Sequence, residues 1–191
     1  MRLFLATIVL FAALTVRADN TVVGTVSFSL DGNEQTWYVL KSPAGLRPNA
    51  LWLETGPERA AISVTAFTNS DIRLVGDGSM GSAVPDRAAK ALVFSVAFPT
   101  GAAEYVHRFP VAPTDGPAVV MLLEEWSNPI DAMMLTDGPG EIRLTSISRN
   151  GDSSFTLKGT FEGVLTDGEG NTRTAAAGRF EFEKVEFFER P

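Results

Sequence analysis

Apolar and polar residues alternate at every second position through almost the whole chain from Thr21 onward. A period of two places successive side chains on opposite faces of a β-strand, so each such segment has one apolar and one polar face. The segments end at Asp-Gly, Asn-Gly and Pro signals, which are typical of turns. The sequence therefore predicts an all-β fold, an antiparallel sandwich or barrel of about ten strands, with at most one short helix at 85–91. The predicted strands are 22–30, 35–41, 50–54, 60–67, 71–75, 91–98, 104–111, 118–125, 141–148, 154–166 and 172–188.

The last two predicted strands form a long hairpin whose register can be argued from charge. Placing Lys158 opposite Glu181 makes an opposite-charge pair, whereas a slip of two residues places Lys158 opposite Arg179. We therefore predict the first register, with a four-residue loop at 168–171. The apolar phase shifts late in the second strand, which indicates a bulge near Lys184.

The same register brings aromatic rings over glycines. Gly159 then faces Phe180, and Phe161 faces Gly178, so each ring covers the bare backbone of the opposite strand. Glycines within such long strands are typical of bends. We expect the sheet to curve strongly and to close, or nearly close, on itself.

The sequence of this hairpin resembles known proteins. Its segments KGTFEGVL at 158–165 and GRFEF at 178–182, joined by an acidic glycine-rich loop, resemble the C-terminal hairpin of secreted bacterial β-proteins. They are also similar to the closing strands of ligand-carrying barrels of the lipocalin type. Trp37, however, follows Gln35-Thr36 rather than the Gly-x pair of that family. The resemblance implies a compact, exported all-β domain and assigns no functional residue.

Residues 1–18 have the pattern of a secretory signal peptide. Arg2 precedes an apolar run that is too short for a typical membrane span, and Val16 and Ala18 supply small residues at the −3 and −1 positions of a cleavage site. We expect cleavage after Ala18, a single β-domain over 19–191, and a periplasmic or secreted location.

Composition and charge exclude several classes of function. The chain has no Cys and one His, so thiol chemistry, zinc–thiolate sites and two-His metal motifs are excluded, and we predict no cofactor. Loss of Arg2 and Arg17 with the signal peptide leaves 14 basic and 23 acidic residues, a net charge of −9. An acidic protein without basic clusters is a poor partner for nucleic acid or for anionic lipid.

Two motifs are considered for chemistry. Residues 76–81 match GxGxxG, but a dinucleotide site needs that loop to open directly into a helix of a βαβ unit, and the surrounding pattern is antiparallel. Ser79 in the same stretch lies in a near match to a nucleophile elbow, with His107 as the only histidine that could serve as its base. Paired acids such as Glu181 and Glu183 share a strand face, which is typical of a solvated surface.

Four residues are candidates for ligand binding. With Leu51 and Leu53 assigned to the inner face of their strand, Trp52 and Glu54 share the outer face, where an exposed indole beside a carboxylate suits a sugar or a partner. The alternative is an edge tryptophan that a neighbouring loop covers. Tyr105 and His107 share one face of a later strand.

We expect an exported, non-catalytic β-domain that binds a small molecule or a protein partner. Two alternatives remain open at this point. One is a hydrolase that uses His107 or paired carboxylates, and the other is a small outer-membrane barrel, because alternation does not show which face of a strand points inward. The chain is not expected to be membrane-embedded.

Overall fold

The computed structural model describes residues 21–77, 82–111, 116–127, 132–136, 138–151 and 153–189. The predicted signal peptide at 1–18 lies outside the described residues. The strands are β1 (Val22–Leu30), β2 (Asn33–Leu40), β3 (Ala50–Gly56), β4 (Arg59–Phe67), β5 (Leu74–Gly76), β6 (Ala83–Pro85), β7 (Ala91–Pro99), β8 (Tyr105–Phe109), β9 (Ala118–Leu123), β10 (Met133–Leu135), β11 (Gly140–Asn150), β12 (Ser154–Thr166), β13 (Thr172–Glu186) and β14 (Phe188–Glu189).

Eight of these strands close into an antiparallel barrel. Their order is β1, β2, β4, β7, β9, β10, β12 and β13, which pairs again with β1. The pairing of Met134 with Thr166 joins β10 to β12 and completes the circuit. Further strands extend the sheet outside this circuit. β3 pairs with β4 and, in parallel, with β14, while β11 pairs with β12 and β8 pairs with β11. The prediction of an all-β barrel or sandwich is confirmed, and the fold is the barrel.

The apolar faces of the strands point into the barrel and form one continuous core. Aromatic rings from β7, β12 and β13 meet at its centre, where Phe94 lies 5.0 Å from Phe161 and 5.1 Å from Phe180 between ring centroids. Trp37, which the alternation assigned to the core, is 2% exposed and lies edge-on to Phe28. Fully burying one such side chain is worth about 1.5–3 kcal/mol, so this core holds the closed sheet together.

The C-terminal hairpin has the predicted register in its middle. The aligned pairs there are Lys158–Glu181, Gly159–Phe180 and Phe161–Gly178. The bulge near Lys184 is confirmed, since the register shifts between Phe155 and Leu157 and Lys184 has a φ of 51°. A second, unpredicted bulge at Ala177, with φ 49°, shifts the register again. The loop is therefore 167–171, one residue longer than predicted.

The predicted helix at 85–91 is wrong. The segment leaves β6 at Pro85 and enters β7 at Ala91, and its backbone groups bond to residues that are distant in sequence. Asp86 N–H donates to the carbonyl of Arg73 at 2.8 Å, and the carbonyl of Ala89 accepts from Trp126 N–H at 2.8 Å. These bonds replace the i to i−4 ladder that an α-helix needs.

A second apolar cluster lies on the outside of the barrel. Its largest buried members are Leu40, Phe67, Ile72, Leu74 and Leu123. The two-stranded sheet of β5 and β6 contributes to it, and Trp126 packs edge-on against Phe67 at 5.9 Å. We call this group the outer cluster. It means that part of the barrel's outer surface is covered by apolar side chains rather than by water.

The turn between β1 and β2 ties two parts of the sheet together through Asp31. Asp31 and Gly32 have φ values of 50° and 81°, the left-handed conformation of a two-residue hairpin turn. The carboxylate of Asp31 accepts from Arg173 Nε at 2.7 Å and from the backbone N–H of Thr174 at 2.8 Å. These bonds, the one from Arg173 first, hold the pKa of Asp31 below its ordinary value of 3.8.

Replacing Asp31 by asparagine is expected to lower the urea midpoint near neutral pH and to leave it almost unchanged in strong acid. A carboxyl whose folded pKa is lowered stabilises the fold above its unfolded pKa of about 3.9, and this stabilisation is lost as the pH falls through the folded value. Urea denaturation of both proteins across this range measures the effect. Asp71→Asn is the control, because the Asp71 carboxylate forms an exposed pair with Arg87, and exposed pairs contribute little stability. Equal midpoints for Asp31→Asn and the parent protein at neutral pH would contradict the prediction.

Candidate functional site

Trp52 does not lie on an exposed face. It is 6% exposed, and its ring centroid lies 5.8 Å from that of Phe98 and 5.7 Å from that of Phe187. Since β3 sits between β4 and β14 at one end of the barrel, its inward positions are Ala50 and Trp52. Leu51 points outward, half-buried. The prediction that Trp52 offers an open indole is wrong, because the inner face was assigned to the leucines.

Glu54 is exposed as predicted, and it belongs to a cap over this aromatic end. Arg149 Nη1 donates to Glu54 Oε1 at 2.9 Å. The guanidinium carbon of Arg149 lies 5.6 Å from the Trp52 ring centroid and 5.5 Å from that of Phe187. An arginine over aromatic faces is held by cation–π attraction. The geometry favours a structural role for Trp52 and Glu54 over a stacking platform.

Tyr105 and His107 lie next to each other on β8, with ring centroids 4.9 Å apart. His107 is completely buried, and its Nε2 donates to the carbonyl oxygen of Ala97 on β7. Phe98, which follows Ala97 on β7, contacts Trp52. The pair Trp52 and Glu54 and the pair Tyr105 and His107 therefore lie near the same end of β7. A general base must reach its substrate within hydrogen-bond distance, and a fully buried ring offers no such access. Ser79, its suggested nucleophile, lies outside the described residues.

The surroundings of the paired acids Glu181 and Glu183 do not suit a general acid. Both are exposed, and Lys158 Nζ bonds to the carboxylates of both. The hydrogen bond from Lys158 lowers the pKa of Glu181, whereas a general acid at neutral pH needs a raised pKa. This arrangement favours a surface ion-pair cluster.

The acidic loop at 167–171 is closed by its own residues. Asp167 Oδ1 accepts from the backbone N–H groups of Glu169 at 2.9 Å and Asn171 at 2.8 Å, and Asp167 Oδ2 accepts from Asn171 Nδ2 at 2.8 Å. These bonds, that of the Asn171 side chain first, lower the pKa of Asp167. The carboxylate therefore serves the turn. Within the described ranges, no three His, Cys, Asp or Glu residues form a group that could hold a metal ion.

A groove on the outside of the barrel is the best-formed candidate for binding. Its floor is the outer face of β4 and β7, where Ser63, Thr65 and Val93 line a volume of about 460 Å³. Register places Thr65 directly opposite Val93. Thr65 is only 4% exposed although its side chain points away from the barrel interior. Neighbouring residues therefore cover this part of the floor.

The walls of the groove come from two extended segments and one aromatic ring. Residues 47–51 form one side and residues 82–84 the other, and Trp126 lies between the groove and the outer cluster. The two sides are joined where Ala83 N–H donates to the carbonyl of Arg47 at 3.4 Å. The groove therefore lies at the edge of the outer cluster and shares Trp126 with it.

A polar group inside this groove is held without a partner in the described structure. Asn49 Nδ2 is buried and makes no hydrogen bond. Its backbone N–H donates to Ser42 Oγ at 3.1 Å, which fixes the segment that carries it. An unsatisfied buried donor costs about 1–3 kcal/mol, so a ligand oxygen that accepts from it would gain that free energy on binding.

A larger depression of about 710 Å³ lies elsewhere, along the outer edge of β1 and β13. It is lined by charged side chains, among them Lys41 and Glu181, and these are already paired, Lys41 with Glu186 at 2.7 Å and Glu181 with Lys158. Exposed ion pairs contribute little free energy in water, and the charges that line this depression are already compensated within the protein. We therefore assign the candidate site to the groove.

Sequence analysis missed this groove, although a signal for it exists. The predicted strands 60–67 and 91–98 are nearly continuous apolar runs, AAISVTAF and ALVFSVAF, rather than alternating ones. Such runs are typical of strands that are covered on both faces. They indicate that something packs outside β4 and β7, but the segments that do so are distant in sequence.

Among the described residues, no helix is long and apolar enough to cross a membrane. Comparison with protein-family models, with curated proteins and with solved structures finds no match to this chain.

Proposed function

We propose that this chain is an exported binding protein that holds a small molecule in the groove between residues 47–51, residues 82–84 and the floor of β4 and β7. The observation that carries the proposal is the buried Asn49 amide, which has no partner among the described residues and lines an otherwise largely apolar groove. A concave apolar site with a few converging polar groups is the usual form of a ligand site. Export rests on the signal-like pattern of residues 1–18.

The dimensions of the groove favour a small molecule over a protein partner. Its volume of about 460 Å³ falls within the range of roughly 300–1,000 Å³ that is common for ligand pockets. A stable protein interface needs about 800 Å² of surface from each partner, with an exposed apolar centre. Val22 and Met134 are the exposed large apolar residues in the described part of the chain, and neither lines the groove.

Ser63→Phe is expected to block the groove. The new ring would stand on its floor, so the affinity for a groove-binding dye should fall by at least about tenfold. The probes are anilinonaphthalene sulfonate and its uncharged parent, phenylnaphthylamine, whose fluorescence rises in an apolar site. Titration of the purified, folded protein with each dye measures the effect.

Ser27→Phe on β1 is the matched control, because Ser27 is an exposed, outward-facing serine that does not line the groove, and β2 separates its strand from β4. It should leave dye binding unchanged. Far-UV circular dichroism and thermal melting confirm that both variants are folded. If neither dye saturates a single site, or if Ser63→Phe binds like the parent protein, the proposed function is wrong.

A further inference from the structure

We propose that the ligand of the groove is a linear amphiphile, an alkyl chain of about a dozen carbons with an acceptor oxygen at its head. This inference rests on the proposed function and specifies its substrate class. The head oxygen accepts from the Asn49 amide, and the alkyl chain leaves the groove along a row of apolar side chains that ends at Met134.

A row of side chains crosses the outside of the barrel at one level. Thr65 on β4 is aligned with Val93 on β7. The row continues from Val93 to Met121 on β9, and from there to Met134 on β10. Each of these side chains points away from the barrel interior, since the residues before and after it belong to the core. We call Val93, Met121 and Met134 the apolar row. It begins in the groove, which Val93 lines, and leads away from it.

The side chains of the apolar row are most exposed at the end far from the groove. Val93 and Met121 are half-buried against the outer cluster, whereas Met134 is 37% exposed. Covering an apolar side chain with a ligand is favourable, and the flexible side chain of methionine adapts to the shape of what covers it. The fold therefore leaves an apolar surface open at the far end of the row.

The accessible part of the row is narrow where it leaves the groove. On one side it is bordered by Ser63 and Ser95, which face each other two residues further along β4 and β7. On the other side Phe67 and Leu123 are buried in the outer cluster and offer no surface. A narrow apolar strip fits a single extended chain better than it fits a broad protein surface.

The length of the row determines the length of the chain. Adjacent strands lie about 4.8 Å apart, so the three spacings from β4 to β10 cover about 14 Å. An extended chain advances about 1.2 Å per single bond, so about twelve bonds cover this distance. An octyl chain that starts at β4 would end at β9, and a dodecyl chain would reach Met134 on β10.

The head of the ligand lies at the opposite end from Met134. Asn49 directly precedes β3, which pairs with the edge of β4 that faces away from β7. The Asn49 amide is buried and has no hydrogen-bond partner among the described residues, so it can donate to a carbonyl or similar oxygen. A ligand with an acceptor at this place relieves the cost of the unsatisfied donor. The amide and the apolar row therefore fix the orientation of the ligand.

Straight-chain methyl ketones test the inference by displacing phenylnaphthylamine from the purified protein. We expect the affinity to rise about twofold to fourfold per methylene from octyl to dodecyl and to level off beyond dodecyl, where the chain has passed Met134. Met134→Gln should weaken binding of the dodecyl ketone at least about fivefold and of the octyl ketone less than about twofold. Asn49→Ala should weaken both by the same factor, because distant contacts contribute independently.

Val22→Thr is the matched control for Met134→Gln. Val22 is the other exposed large apolar residue in the described part of the chain, and it lies on β1, outside the groove and the row. The substitution keeps the shape of the side chain and should change the affinity of neither ketone. Far-UV circular dichroism confirms that each variant is folded.

The outcomes separate this inference from the proposed function. If affinity does not depend on chain length, or if Met134→Gln weakens the octyl and dodecyl ketones alike, the path along the apolar row is wrong. If Asn49→Ala changes neither ketone, the assignment of the head is wrong. If no ketone displaces a dye whose binding Ser63→Phe removes, the inference is wrong and the proposed function stands. If Ser63→Phe does not remove dye binding, the proposed function itself fails.

Discussion

Replacing Trp52 by alanine is expected to lower the free energy of unfolding by about 3–5 kcal/mol. The side chain fills the end of the barrel between the rings of Phe98, Phe155 and Phe187. Its removal leaves a cavity there and takes away the face that the Arg149 guanidinium covers. Urea denaturation of the purified protein measures the loss, and Trp52→Phe, which keeps a ring in the same place, should lose less.

The same variant decides whether Trp52 has any role in binding. Since Trp52 is not part of the groove, folded Trp52→Ala should bind both dyes with unchanged affinity. Trp126→Ala is the counterpart, because Trp126 lines the groove and is only half-buried. It should lose dye affinity with a smaller loss of stability. If Trp52→Ala kept its stability and lost dye binding, the interpretation of Trp52 as a core residue would be wrong.

The long strands could be predicted from sequence because their periodicity extends over many residues. The strand 154–166 has the predicted bounds, and the charge pair of Lys158 with Glu181 was sufficient to align it with β13. The bulge at Ala177 could not be predicted, since alanine carries no signal for a left-handed φ. For this reason the predicted loop was one residue too short.

The short strands were missed for a related reason. Three residues, as in β6 and β10, are too few to show a period of two, and both are held by their pairing partners. In β6 the sequence Ala83-Val84-Pro85 leads into alanines, so local propensity favoured a helix over 85–91. Contacts with Arg73 and Trp126 override that preference.

The candidate site depends most on tertiary structure. The face of β3 was ambiguous, because Leu51, Trp52 and Leu53 are all apolar and periodicity does not choose between one tryptophan and two leucines. The barrel end, crowded with rings from β7, β12 and the C-terminal segment, selects the tryptophan. The groove requires residues 47–51 and 82–84 to meet over β4 and β7, and no pattern within either segment specifies that contact.

Gly159→Ala is expected to lower the free energy of unfolding by about 3 kcal/mol, at the upper end of the usual cost of overpacking. A Cβ at this position would overlap the backbone carbonyl oxygen of Arg143 and the tip of the Phe180 ring. The ring can turn aside only by leaving the core, and the carbonyl oxygen belongs to the strand ladder of β11 and β12. Chemical denaturation measures the effect.

Gly168→Ala in the loop of the same hairpin is the matched control, because a Cβ there would meet nothing within 4 Å. It should leave the unfolding midpoint almost unchanged, or raise it slightly, since alanine restricts the unfolded chain more than glycine does. Equal stability of the two variants would mean that Phe180 does not lie over Gly159. The register that closes β12 onto β13, and with it the curvature that completes the barrel, would then have to be revised.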